Sequence, residues 1–146
     1  MKRLFVSLPL VFFGLSAGAV HAQESAKVQI TIKISDKEAS FTNQRLVVTL
    51  VHDFPLDQDR GPRTVASHVD AQFSHRKGKE TVLKITLGDN VKMDPDVQYF
   101  VNLSVFTPDS KRTHHGEIDG DNGPFRVITN DSPRALTLSV AADRED

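Results

Sequence analysis

The sequence predicts an all-β protein, an antiparallel β-sandwich of about seven to eight strands, immunoglobulin-like or prealbumin-like. Three observations support this. Apolar and polar residues alternate with a period of two along several segments, turn-forming residues recur at intervals of about ten, and no segment repeats apolar residues at helical spacing.

The N-terminal residues stand apart from this pattern. Lys2 and Arg3 are followed by an apolar run from Leu4 to Leu15, broken only by Ser7, Pro9 and Gly14, and then by the small-residue site Val20-His21-Ala22. A charged start, a short apolar core and a small-residue end are the marks of a signal peptide. Residues 1–22 are read as that peptide, with Ala17-Gly18-Ala19 as a second acceptable cleavage site, and residues 23–146 as a single domain. The apolar run is shorter than the roughly 20 residues a bilayer span takes, and no later segment approaches that length, so no transmembrane segment is expected. The expected location is periplasmic or secreted.

The chain has no cysteine. No lipid anchor on a first mature Cys is therefore expected, and thiolate catalysis and Cys-ligated zinc are excluded. Without the signal the chain keeps 16 basic against 19 acidic side chains, a formal charge of −3. Nucleic acid is not an expected partner, because Lys and Arg are scattered among carboxylates instead of forming a basic face.

Val28, Ile30, Ile32 and Ile34 point one way and Gln29, Thr31 and Lys33 the other, which predicts a half-buried strand. Arg45 to Val51 is apolar on both faces, as a central strand would be. His52 to Arg63, with Pro55, Gly61 and Pro62, reads as a long loop. A short strand follows at Thr64 to Asp70, a solvated turn at Ser74 to Glu80, and a strand at Thr81 to Leu87. Gly88 to Asp96, with Asp89-Asn90 and Asp94-Pro95, is a connector. Val97 to Phe106 is the clearest long strand. Lys111 to Ile118, rich in charge, reads as an edge strand. Phe125 to Ile128 and Arg134 to Val140 complete the set, the last with Leu136, Leu138 and Val140 inward.

No group of residues reads as an enzyme active site. Ser67-His68-Val69-Asp70 holds triad residue types, but in a strand Ser67 faces away from His68 and Asp70, and triads are not assembled from sequence neighbours. An enzymatic reading would need His52 or His68 to converge with carboxylates from distant strands. His114 and His115, with Glu117 and Asp119, are candidate ligands for copper or zinc, although neighbours in a strand point to opposite faces. Asp119-Gly120-Asp121-Asn122-Gly123 begins like a calcium loop. Its closing position, where a bidentate Glu is needed, is Asn130, so turn chemistry explains it better. Phe41, Phe73, Phe100, Phe106 and Phe125 are expected in the core, whereas Phe54, Pro55 and Leu56 form an apolar group inside a polar loop, a candidate surface for a partner. No cofactor is expected.

The run Arg45-Leu-Val-Val-Thr-Leu-Val-His-Asp53, then Asp94-Pro95-Asp96-Val97-Gln98-Tyr99, and the tail Phe125-Arg-Val-Ile-Thr-Asn-Asp-Ser-Pro-Arg134 before Leu136-Thr-Leu138 resemble successive landmarks of the YbaY and YscW (type III secretion pilotin-like) lipoprotein family. The resemblance covers most of residues 23–146 and implies a compact β-sandwich. For the pilotin branch it implies chaperoning of an outer-membrane secretin by binding a segment of it. The chain departs from the family in lacking a lipidated Cys. The expected function is thus a non-enzymatic exported binding module that recognises a protein or peptide segment in the cell envelope; the alternative is a periplasmic metal-binding protein using surface histidines and carboxylates.

Overall fold

The computed structural model describes residues 24–53, 61–118, 120–128 and 134–144. Residues 1–22, Phe54, Pro55, Leu56 and Asp119, all named above, lie outside them. Nine strands are found among the described residues: β1 (Val28–Ile34), β2 (Phe41–Asp53), β3 (Arg63–His75), β4 (Thr81–Leu87), β5 (Gln98–Phe106), β6 (Arg112–Ile118), β7 (Asp121–Asn122), β8 (Phe125–Ile128) and β9 (Ala135–Ala142). Among the same residues no helix is long and apolar enough to cross a membrane.

The all-β class holds, and the alternation read from the sequence is the alternation of burial. Val28, Ile30, Ile32 and Ile34 of β1 are essentially inaccessible, as are Leu46, Val48 and Leu50 of β2, Tyr99, Val101 and Val105 of β5 and Leu138 of β9. Burying each such side chain contributes about 1.5–3 kcal/mol. Intervening residues such as Gln29 and Lys33 face water. Phe41 and Phe73 join this core, whereas Phe100 and Phe106 lie half-buried on the other face of β5, where the guanidinium of Arg45 sits 5.2 Å from the Phe106 ring centre.

The arrangement of the strands corrects the two-sheet expectation. All nine belong to one sheet, in the order β3-β2-β5-β6-β9-β1-β4, with β7 added to β6 and β8 to β5. The two ends of this path meet at the β3–β4 turn, so the sheet curls into a nearly closed barrel. Period-two alternation requires one buried face per strand, a condition that a sandwich and a barrel both meet. Nor is the sheet wholly antiparallel: β1 and β9 run parallel, Ile30 opposite Leu136 and Ile32 opposite Leu138.

Two further expectations change. β6 is an interior strand between β5 and β9, not an edge, and its charged groups are paired on its outer face as described below. β3 extends to His75, well beyond the short strand expected, and the imidazole of His75 is buried. By contrast β2 lies in the interior of the sheet, between β3 and β5, as expected, but only one of its faces is buried: Leu46, Val48 and Leu50 are inaccessible, whereas Val47 and Val51 on the other face stay half-buried. At its start Asn43 takes a left-handed conformation (φ 52°) and interrupts the register with β3, the local kink of a bulge.

Gly88 ends β4 at φ +81°, and a Cβ there would lie 2.0 Å from the carbonyl oxygen of Ala26. Its bare backbone lets residues 24–26 lie against the connector, where Ala26 N donates to Val91 O at 2.8 Å and Met93 N to Glu24 O at 2.9 Å. Further along, the Asp94-Pro95 landmark acquires a reason. Asp94 N donates to the Tyr99 hydroxyl at 2.9 Å, so the buried phenol closes the turn that starts β5.

Candidate functional site

The seam where the barrel does not close is built by β3 and β4. These strands are consecutive and joined by a short turn, yet they form no ladder with each other: among the described residues β3 pairs with β2 and β4 with β1. The turn itself is anchored. Gly78, at φ +85°, donates its N–H to Asp36 O at 2.7 Å, and Lys77 N donates to Ser40 Oγ at 2.8 Å. At its base His75 Nδ1 lies 3.0 Å from Thr81 Oγ1, which holds the two strand ends together.

Beyond that corner the inner walls of the seam differ. On β3 the residues opposite Leu46, Val48 and Leu50 are Asp70, His68 and Ala66, all half-buried. On β4, Leu83 and Ile85 stand opposite Ile32 and Ile30 of β1 and pack on the core but remain half-buried, because among the described residues no strand covers their other side. Val69 (54% exposed) and Val82 (48%) add apolar surface on the two outermost strands. Among the described residues the seam thus presents two strand edges without ladder partners beside an incompletely covered apolar wall, the features to which an added strand pairs.

A second cluster lies on the outer face of β6. His115 Nδ1 is 2.6 Å from Asp143 Oδ1, and Nε2 is 3.1 Å from Glu117 Oε1. Arg112 Nε donates to Asp143 Oδ2 at 2.7 Å, and Asp143 N donates to Thr113 O at 2.8 Å. Burial pushes the Asp143 carboxyl up, but hydrogen bonds from Arg112 and His115 outweigh it and hold the group below the usual carboxylate value. The cluster borders a depression of about 290 Å³ lined by Asn102, Ser104, Arg112, His115 and Asn122. Ser104 is the cross-strand neighbour of His115. Each imidazole nitrogen faces a carboxylate, so the arrangement ties the end of β9 to β6.

His114 turns the other way, as strand geometry requires. It is buried against Phe41, with ring centres 4.8 Å apart, and its Nε2 lies 3.9 Å from Glu38 Oε1. Burial lowers its affinity for a proton and outweighs the opposing pull of Glu38 and Asp143. His75 flanks the same Phe41 ring at 5.8 Å; its Nε2 is buried and has no hydrogen-bond partner among the described residues. The expected ligand set of His114, His115, Glu117 and Asp119 is thus divided: His115 and Glu117 share a face, His114 faces the core, and Asp119 lies outside the described residues. Among those residues no three His, Asp or Glu side chains gather in a metal-holding arrangement. Asp143, the principal partner of His115, was not singled out from the sequence, because only the β6–β9 pairing brings it there.

Compared by sequence, the chain matches no family model and no curated protein. Compared by structure, it is similar to the alternative pilotin from the type II secretion system of Vibrio cholerae, with a TM-score of 0.58 and 14% identity over 84% of this chain and all of that one. The fold is pilotin-like. At this identity the likeness is one of architecture, and it does not extend to the YbaY and YscW family in particular.

Proposed function

We propose that this protein is a non-enzymatic binding module of the cell envelope that holds a segment of a secretion or envelope protein, in the manner of a pilotin. The observation that carries this reading is the open seam: two strand edges without ladder partners among the described residues, beside the half-buried Leu83 and Ile85. The pilotin-like fold supports it, as do the signal-like N-terminus and the sequence landmarks that resemble those of YbaY and YscW proteins.

In-cell photo-crosslinking tests the proposal. A photoreactive residue replacing Val82, beside the seam, should capture one defined envelope protein; the same residue replacing the exposed Asn122, on β7 beside the central strand β6 and far from the seam, should not. Capture of no envelope protein at Val82, or equal capture at both positions, would overturn it.

A further inference from the structure

Resting on the binding-module reading, we infer that the seam takes an extended acidic segment with apolar residues at alternate positions, which adds as a strand between β3 and β4 and closes the barrel. The backbone selects the form of the occupant. A helix satisfies its own N–H and C=O groups internally and leaves those of a sheet edge unanswered, whereas an added strand pairs with them. The sheet already accepts a parallel neighbour in the β1–β9 pair, so a strand lying antiparallel to one wall and parallel to the other is compatible with it.

The walls select the pattern. Leu83 and Ile85 lie half-buried directly opposite the fully buried Ile32 and Ile30. Covering them takes an apolar side chain at every second position of the incoming strand, with the intervening ones outside. Charge selects the sign. From β3 through β4 the chain carries five basic side chains, Arg63, Arg76, Lys77, Lys79 and Lys84, against Asp70 and Glu80, in a chain whose overall formal charge is −1. All five are exposed and none is in an ion pair among the described residues. Lysines on an edge also discourage strand pairing in general. Such a guard would reject strands of any charge, whereas a binding seam admits the acidic one.

Three fluorescent peptides of about seven residues, the usual strand length, distinguish these cases: valine alternating with Glu and Asp, a same-composition isomer with the valines clustered, and valine alternating with Lys. Fluorescence anisotropy with the full chain should show the alternating acidic peptide binding at least about tenfold more tightly than the others. Hydrogen exchange should slow at amides within residues 64–72 and 82–86. The surface double variant Lys79→Glu with Lys84→Glu should weaken that peptide by about fivefold or more, since both charges oppose it. Equal binding of all three peptides, no binding, or protection confined to other strands would overturn the inference. If Val82 crosslinks an envelope protein while the peptides bind alike, this inference fails and the binding-module reading stands. If the acidic peptide binds but no envelope protein is captured, the reverse holds.

Discussion

At the scale of single residues, the molecule depends on polar groups placed in apolar surroundings. Tyr99 is nearly inaccessible and its hydroxyl is the acceptor for Asp94 N. Tyr99→Phe should cost about 1 kcal/mol, the usual net worth of one hydrogen bond, measured by urea unfolding. Loss below a few tenths of that would mean the turn is held without the phenol, by Pro95 and the hydrogen bond from Asp96 N to Asp94 Oδ1. His114 gives a pH dependence whose sign follows from its burial. Its folded-state affinity for a proton is lowered from the ordinary 6.5, so below that value the unfolded chain takes up a proton that the folded chain resists. Stability contributed by the neutral imidazole is therefore present above about pH 6.5 and declines as pH falls. The groups around it, Glu38, Asp143, His115 and His75, stay in place in His114→Leu, and that variant should lose this part of the slope in unfolding curves between about pH 7 and pH 5. An unchanged slope would assign the dependence to another group.

At the scale of elements, β6 is the strand whose character the sequence conceals. Its inner face carries His114 and Gly116, and a Cβ on Gly116 would stand 3.0 Å from Leu103 Cβ and 3.5 Å from Leu138 Cδ1. Glycine suits that position because a methyl group there would press on Leu103 of β5, which would have to shift by a few tenths of an ångström. Gly116→Ala should destabilise by about 1–3 kcal/mol, the cost of overpacking, in the same unfolding measurement. A neutral result would show that Leu103 can move away. The edge strands should respond differently from interior ones. Leu50→Ala in the interior of β2 should cost about 2–5 kcal/mol, while Leu83→Ala on half-covered β4 should cost clearly less. Equal losses would indicate that β4 is as well packed as β2.

At the scale of the whole molecule, the barrel is stitched through β9, which lies between β6 and β1 and so joins the end of the domain to its beginning. Truncation before Ala135 strips both strands of a ladder partner and removes Leu138 and Val140 from the core. The shortened chain should show no cooperative thermal transition in circular dichroism, because small β domains have little stability to spare. A cooperative transition in that chain would mean that β1–β4 and β2–β3–β5 fold independently of their junction.

How far the sequence reached follows the same division. By itself it determined which segments become strands and which side of each is buried: β1, β4, β5 and β9 lie within a residue or two of their expected places, with Val28 to Ile34 and Leu138 inward. Strand alternation is a local property, set by the period-two geometry of extended chain. Partnership between strands is not local, and there the expectations departed. The single curled sheet, the parallel β1–β9 pair and the interior position of β6 depend on residues far apart in the chain, such as Gln29 with Ala135 and His114 with Ala142. The same held for the candidate sites. His115 was legible as a conspicuous side chain, but its pairing with Asp143 exists only through strand register. The seam was invisible because an unpartnered edge is defined by a strand that is absent beside it. Local periodicity told what each segment is; long-range backbone pairing alone decided which strands meet and where the barrel stays open.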